Sequence, residues 1–221
     1  MERTLFEKVD HYIAGLTAKE NPALLHATAT IDGANLFNQS ISAVQGKMLQ
    51  VFLKACNAQR VLELGTFRAY STIWLAQGLP KNGKLVTIEF DQTHAEVARQ
   101  NIEHAHLETI VELKVGNALE ILATMIQDNE PPFDLFFIDA DKPPYLEYFQ
   151  MALKMSRKGS IIICDNVIRN GKVLDEDSTD EKVRGVQRLN DFLKNCDQVT
   201  ATILQTVGTK EYDGMLIAVV N

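Results

Sequence analysis

The sequence predicts an α/β protein with a doubly wound, mostly parallel sheet of seven strands, an antiparallel C-terminal strand and an N-terminal helical extension. Three observations lead to this prediction. A short apolar strand, a glycine turn and a helix start follow one another over Val61–Ala76. Strands and helices then alternate as far as Cys164, which is typical of a parallel sheet with right-handed crossovers. Two strands without an intervening helix end the chain, so one of them must run against the rest.

The first 57 residues predict helices and no strand. Apolar residues recur at helical spacing over Leu5–Leu16, a second helix over Ala23–Ala29 follows Pro22, and Ser42 can cap a third. A turn is expected at Asp32-Gly33. Since this extension cannot join the sheet, it must pack on the sheet edge, cover a ligand or form an interface.

The predicted strands are apolar on both faces, as parallel strands between two helical layers should be. They are Val61–Leu64, Lys84–Glu89, Ile110–Lys114, Phe133–Ile138, Ser160–Cys164, Val199–Val207 and Gly214–Val220. The helices that connect them are Ser71–Gln77, Thr93–Ala105, Leu119–Ile126, Tyr145–Met155, which ends near Gly159, and Asp180–Asn195. No repeat, low-complexity run or linker interrupts the pattern, so residues 1–221 are expected to form one domain.

Composition and charge narrow the class of function. The chain of 221 residues is 46% hydrophobic, enough for one large core, and its net charge of −7 disfavours a nucleic-acid partner, which would require a basic surface. No segment approaches the roughly 18 apolar residues of a membrane span, and the N-terminus lacks the apolar core of a signal peptide. Cys56, Cys164 and Cys196 are widely separated, which indicates reduced thiols and a cytoplasmic protein.

The turn after the first strand predicts a ligand site, because ligands of doubly wound sheets bind outside the carboxyl ends of the strands. Only Gly65 is present, whereas Phe67 and Ala69 stand where the dinucleotide fingerprint G-x-G-x-x-G requires glycine. This argues against a nicotinamide-dependent dehydrogenase. Glu63 would repel a pyrophosphate and attract a cation, such as the sulfonium and α-amino group of S-adenosylmethionine. The alternative is that Glu63 caps a neighbouring helix.

Acidic or amide side chains follow every one of the first five strands. Glu89 ends the second strand, about 20 residues beyond the glycine turn, where a carboxylate can accept from both ribose hydroxyls. Gly116-Asn117-Ala118 follows the third strand and can touch an adenine edge, Asp139–Lys142 follows the fourth, and Asp165-Asn166 follows the fifth. Each alone could be a helix cap or an Asx turn, but their common register with the fold indicates a site.

Asp139, Asp165 and Asn166 offer oxygen ligands only, which hard cations prefer. Mg²⁺ is favoured, and Ca²⁺ and Mn²⁺ stay open. Three protein oxygens leave room on an octahedral cation for two adjacent hydroxyls of a substrate and one water. Lys142 lies close enough in sequence to face such a hydroxyl; the alternative is a solvated lysine before Pro143-Pro144.

These motifs resemble those of the cation-dependent class I S-adenosylmethionine O-methyltransferases of the caffeoyl-CoA and catechol type, and small bacterial members most of all. The resemblance runs from about residue 36 to the end. It rests on Val61–Gly65 with Tyr70-Ser71, Phe133–Lys142, Asp165-Asn166 with Asn170-Gly171, and Asp213-Gly214.

The resemblance implies a Rossmann-like methyltransferase fold and a role for each matching residue. The methionine end of S-adenosylmethionine would be held by Glu63, Gly65 and Ser71, the ribose by Glu89 and the adenosine side by Ala118 and Asp141. Thr66 and Asp139 complete the cofactor-binding set, and Ile41 would lie beside the cofactor. The metal would be bound by Asp139, Asp165 and Asn166, and Asn170 would lie near the acceptor. Lys142 would be the general base or would only stabilise the phenolate.

The function implied is transfer of a methyl group to one hydroxyl of a catechol-like acceptor, by a homodimer built through the N-terminal helices. Two alternatives are a metal-independent methyltransferase and a cofactor-binding protein without turnover. The acceptor is expected to meet the N-terminal helices and the loop Val167–Asp180. The family commonly has glycine where this chain has Ala69, preceded by Arg68, so the backbone angle and cofactor affinity there are open.

Overall fold

A computed structural model describes residues 3–32, 40–210 and 212–221. Its strands are β1 (Arg60–Leu64), β2 (Lys84–Glu89), β3 (Val111–Val115), β4 (Phe133–Ile138), β5 (Ser156–Asp165), β6 (Val199–Thr206) and β7 (Asp213–Val220). Its helices are α1 (Arg3–Thr17), α2 (Pro22–Asp32), α3 (Ala43–Ala55), α4 (Tyr70–Gly78), α5 (Gln92–His104), α6 (Ala118–Gln127), α7 (Tyr145–Lys154) and α8 (Glu181–Leu193), and a 3-10 helix covers Arg169–Leu174.

The strands form one sheet in the order β3-β2-β1-β4-β5-β7-β6. β7 is antiparallel to both of its neighbours, and the other neighbouring pairs are parallel. The predicted doubly wound, mostly parallel seven-stranded sheet with an antiparallel C-terminal strand is therefore confirmed.

Two apolar cores flank the sheet because successive side chains of a strand point to opposite faces. Val61 packs into one core with Trp74, and its neighbour Leu62 packs into the other with Phe136. The first core also contains Leu49 of α3, so the N-terminal extension covers the face on which α4 lies. The opposite face is covered by α6, α7 and α8.

The N-terminal helices follow the predicted signals in part. Pro22 begins α2, and Ser42 caps α3 through a reciprocal pair of hydrogen bonds with Gln45. α2 continues to Asp32 rather than ending at Ala29. Gly33 of the predicted turn, and residue 36, where the family resemblance begins, lie outside the described residues. Within the described chain, no helix combines the length and the apolar composition that crossing a membrane requires.

The start of β5 corrects the sequence prediction. The strand begins at Ser156, not at Ser160, and its pairing with β4 shifts register between Phe133 and Leu135. Gly159 lies in this irregular part with φ +85°, and the Ser160 hydroxyl accepts a hydrogen bond from the backbone N–H of Arg157 (2.9 Å). Gly159 therefore lies in an irregular stretch of the strand, where the sequence predicted the end of a helix.

Candidate functional site

A cavity of about 910 Å³ opens at the carboxyl ends of the central strands. It is the place where a doubly wound sheet binds its ligand. With the exception of Glu63, every predicted site residue lines it: Ile41, Gly65, Thr66, Ser71, Glu89, Ala118, Asp139, Asp141, Lys142, Asp165, Asn166 and Asn170.

Glu63 does not face the cavity, which corrects its expected direct contact with the cofactor. Its side chain is 0% exposed. Its carboxylate accepts hydrogen bonds from the hydroxyls of Ser71 (2.5 Å), Thr72 (2.6 Å) and Thr87 (2.7 Å). Glu63 therefore orients the Ser71 hydroxyl from the buried side of the turn, and Ser71 is the residue of this pair that lines the cavity.

Glu63 should make folding stability depend on pH. Burial raises its pKa from 4.5 to about 7, against the lowering effect of the three hydroxyls and with a further rise from Asp139. The folded protein thus holds a proton that the unfolded chain releases, so the free energy of unfolding should fall as pH rises from 4.5 to 7. We expect Glu63→Gln to gain about 3 kcal/mol relative to wild type between pH 4.5 and pH 8.

Urea denaturation of both proteins at these two pH values, without cofactor, measures this difference. The control is Glu120→Gln, which replaces a glutamate on the exposed surface of α6. Equal pH slopes for wild type and Glu63→Gln would contradict the assignment.

The turn between β1 and α4 depends on close backbone contacts. Gly65 has φ +92°, and its N–H donates to the carbonyl oxygen of Ile88 (3.0 Å). A Cβ on Gly65 would lie 2.1 Å from the carbonyl oxygen of Asp139. The absence of a side chain therefore lets the ends of β1 and β4 meet beneath the cavity.

The Arg68-Ala69 departure from the family pattern is accommodated in this turn. Ala69 has φ +66°, a left-handed conformation that glycine adopts more readily, and it is 0% exposed. Arg68 is 7% exposed, and its guanidinium donates to the carbonyl oxygen of Thr30 in α2. Arg68 therefore ties the cofactor turn to the N-terminal extension.

Glu89 and Asp141 are both anchored by hydrogen bonds at the cavity wall. The two carboxylate oxygens of Glu89 accept from the backbone N–H groups of Phe67 (2.7 Å) and Asp91 (2.9 Å). Asp141 accepts from the hydroxyl of Tyr148 (2.7 Å), and this carboxylate raises the pKa of Tyr148 in addition to the larger effect of burial. Because each carboxylate oxygen has a second lone pair, both groups can still accept from a ligand.

Asp139, Asp165 and Asn166 come together at the ends of β4 and β5. Asp165 is 3% exposed, and burial, followed by the nearby charge of Asp139, raises its pKa. The described residues contain no group of three or more His, Cys, Asp and Glu side chains that could hold a metal ion. The predicted set has two carboxylates and one amide. These oxygen donors fit a hard divalent cation, whose charge would offset the repulsion between the two carboxylates.

Lys142 is a buried cationic side chain next to this carboxylate pair. It is 6% exposed, and its Nζ donates to Asp139 Oδ1 (2.9 Å) and to the Tyr145 hydroxyl (2.5 Å). The Tyr145 hydroxyl lies 2.9 Å from the carbonyl oxygen of Asp165 and 3.1 Å from that of Ile138. Lys142 is therefore fixed inside the cavity, and the alternative of a solvated lysine is excluded.

The segment after β5 carries Asn170 on an unusual backbone. Asn166, Arg169 and Asn170 have φ values of +58°, +54° and +56°, and the 3-10 helix that begins at Arg169 was not predicted. Asp213 Oδ1 accepts from the backbone N–H groups of Ile168 (2.9 Å) and Arg169 (2.8 Å). The Asp213 carboxylate therefore holds this segment in place and explains why Asp213-Gly214 belongs to the motif.

Sequence reasoning missed several lining residues. Tyr148 had a usable signal, because it lies in the first turn of the predicted helix that begins shortly after Asp141. Arg169 and Lys172 lie in the loop that was expected to meet the acceptor, although neither residue was named. The other lining residues reach the cavity only through the tertiary fold: Ser40, Gln45, Phe90, His94, Lys182, Thr206 and Lys210.

Comparison with known proteins gives consistent matches. The model of a family described as O-methyltransferase matches residues 17–219. The chain is 52% identical over 220 residues to a catechol O-methyltransferase of Niastella koreensis, covering 100% of both chains. It is 42% identical to a catechol O-methyltransferase of Mycobacterium tuberculosis, covering 96% of this chain and 94% of the relative. The O-methyltransferase TomG from Streptomyces achromogenes, involved in tomaymycin synthesis and solved in complex with SAM, superposes with a TM-score of 0.96 at 44% identity, covering 100% of this chain and 99% of TomG.

Proposed function

Because this chain belongs to the O-methyltransferase family, we propose that residues 1–221 form one catalytic domain that moves the methyl group of S-adenosylmethionine to one hydroxyl of a catechol-like acceptor. The observation that carries the proposal is the pair of carboxylates formed by the half-buried Asp139 and the buried Asp165, with Lys142 beside it, in the same cavity as the predicted cofactor residues.

The cofactor would occupy the half of the cavity formed by β1, β2 and β3. Ser71 and the Gly65-Thr66 turn would meet its methionine end, since they follow β1 at the start of α4. Glu89 would accept from the ribose hydroxyls through its second lone pairs. The bound SAM in the structure of TomG, at 44% identity, supports this choice of cofactor.

Asp139, Asp165 and Asn166 would hold a divalent cation, with Mg²⁺ as the first candidate. When bound, such a cation supplies Lewis acidity that lowers the pKa of a hydroxyl of the acceptor. A vicinal diol suits this site because its two adjacent oxygens would bind the same cation. The names of the relatives at 52% and 42% identity support a catechol as the acceptor.

Lys142 would act on the hydroxyl that receives the methyl group. Hydrogen bonds to Asp139 and Tyr145 hold its Nζ in place, so the amino group has a defined position in the cavity. There a neutral amine would take the proton of the hydroxyl, whereas an ammonium would stabilise the phenolate. The oxygen then forms a bond to the methyl carbon as the carbon–sulfur bond breaks, which leaves S-adenosylhomocysteine. Alignment of oxygen, carbon and sulfur would supply much of the rate enhancement.

The proposal is tested by methyl transfer from labelled S-adenosylmethionine to catechols and to matched monophenols, with Mg²⁺ and with EDTA. We expect transfer to vicinal diols that requires Mg²⁺ and no transfer to monophenols. Transfer that ignores EDTA would favour the metal-independent alternative, and cofactor binding without transfer to any diol would favour a protein without turnover.

A homodimer, implied by the family resemblance, stays a proposal. α1 exposes a set of large apolar side chains that a second copy of the chain would cover: Leu5, Val9, Tyr12, Ile13 and Leu16. They support an interface through the N-terminal helices because exposed apolar surface of this kind is typical of protein contacts.

A further inference from the structure

The cavity has an uneven distribution of charge that the transfer reaction does not explain. The chain has a net charge of −7, yet four cationic residues line one side of the cavity: Arg169, Lys172, Lys182 and Lys210. They come from three separate segments, namely the 3-10 helix after β5, the first turn of α8 and the connection between β6 and β7. A local excess of positive charge in a cleft attracts anionic ligands.

This cationic side lies away from the cofactor half of the sheet. The strand order places β5, β7 and β6 at one end and β1, β2 and β3 towards the other. Arg169 and Lys172 flank Asn170, whereas Glu89 lies at the end of β2. An acceptor that reaches Asn166 would therefore extend towards the cationic side.

Three of these cations have no anionic partner among the residues that the structure describes. Arg169 Nε is a buried donor without a hydrogen-bond partner. The side chains of Lys172 and Lys182 lie on exposed residues and form no ion pair or hydrogen bond with any described residue. The acidic residues at the start of α8 and just before it, between 175 and 181, do not line the cavity.

One carboxylate near these cations, that of Asp213, accepts hydrogen bonds from the backbone through one of its oxygens. Asp213 lines the same side of the cavity, and its Oδ1 accepts from the N–H groups of Ile168, Arg169 and Gly214. It fixes the backbone of Arg169 and so presents the guanidinium, which binds a carboxylate or a phosphate through two parallel hydrogen bonds.

We propose that the methyl acceptor carries an anionic group, a carboxylate or a phosphate, which Arg169, Lys172 and Lys182 receive on this side of the cavity. This inference rests on the proposed function and specifies its substrate class. A diol with an anionic arm would place its two hydroxyls at Asp139, Asp165 and Asn166 and its charge at the three cations.

The test compares kcat/KM for 3,4-dihydroxybenzoate with that for 3,4-dihydroxybenzyl alcohol, which has the same ring and diol but no charge. We expect wild type to prefer the benzoate by about 10-fold, equivalent to one favourable charged contact. Lys182→Gln and Lys172→Gln should each lower the ratio of the two values by about 3-fold, and the double variant by more. Both residues are exposed, so these substitutions leave the fold intact.

Lys194→Gln is the matched control, because Lys194 lies at the far end of α8 in an exposed pair with Asp191. The ratio should not change in this variant. Arg169→Lys, which keeps the charge but loses the planar fork, should lower the ratio less than Arg169→Gln does. Longer acceptors with a carboxylate or a phosphate arm then identify which anion is preferred.

The outcomes separate the two proposals. Equal use of both diols by wild type, with the same ratio in Lys172→Gln and Lys182→Gln, would overturn the anionic acceptor and leave the diol methyltransferase intact. Absence of transfer to both diols in the presence of Mg²⁺ would overturn the proposed function and this inference together.

Discussion

Asp165→Asn is expected to reduce kcat/KM for a vicinal-diol acceptor by at least about 100-fold and to stabilise the cofactor-free protein at pH 8. Activity should fall because the variant removes one charged oxygen donor from the proposed cation set. Affinity for S-adenosylmethionine should change little, since Asp165 follows β5 and the proposed cofactor residues follow β1 and β2.

The stability gain has a separate cause. Burial and the charge of Asp139 raise the pKa of Asp165, so the folded protein binds a proton more tightly than the unfolded chain does. The carboxylate therefore costs stability increasingly as pH rises above the ordinary pKa of an aspartate. Asparagine removes that cost without a large change in volume. A residue kept for its structural role would show the opposite, a loss of stability on substitution.

Three measurements check this prediction: transfer assays with Mg²⁺ and with EDTA, calorimetric titration with S-adenosylmethionine, and urea unfolding at pH 5 and pH 8. Asp177→Asn is the control, because Asp177 is exposed and does not line the cavity. Full Mg²⁺-independent activity of Asp165→Asn would refute the role of Asp165 in cation binding.

Gly65→Ala is expected to lower the free energy of unfolding by more than about 4 kcal/mol and to abolish measurable cofactor binding. The added Cβ would lie 2.1 Å from the carbonyl oxygen and 2.8 Å from the carbonyl carbon of Asp139. These are backbone atoms, so no side-chain rotation can relieve the contact, and the ends of β1 and β4 must separate. The positive φ of +92° adds backbone strain.

Gly159→Ala separates these two effects. Gly159 has a similar φ of +85°, but a Cβ there would have no atom within 4 Å. It should therefore report backbone strain alone, about 1 kcal/mol, with unchanged cofactor affinity. Urea denaturation and calorimetric titration with S-adenosylhomocysteine measure both quantities. Equal losses in the two variants would show that steric contact at Gly65 contributes nothing.

Much of the fold followed from local patterns. Strands such as Phe133–Ile138 are apolar except for Asp134 because both faces are covered, and the short connection before Asp213 required an antiparallel pair. The predicted beginning of β5 at Ser160 was wrong because Ser156 already pairs with Phe133 of β4, and the strand is irregular from there to Ile161. This pairing depends on β4 and is not visible in the residues around Gly159.

The candidate site was predictable where function depends on the ends of strands. Gly65, Glu89, Asp139 and Asp165 each follow a predicted strand, and parallel strands bring their carboxyl ends to one edge of the sheet. The orientation of the Glu63 side chain, away from the cavity, was not predictable in this way. Its contacts with Thr72 and Thr87 depend on how α4 and β2 pack against β1.

The sequence by itself determined the order of strands and helices, the glycine turn and the oxygen-rich strand ends, because each depends on neighbours within a few residues. Only the tertiary structure decided that Glu63 supports Ser71 from behind, that Lys142 is held between Asp139 and Tyr145, and that Arg169, Lys172 and Lys182 line one side of the cavity. These arrangements join segments that are distant in sequence, and the burial and charge that set their chemistry exist only once the sheet and its helices have packed.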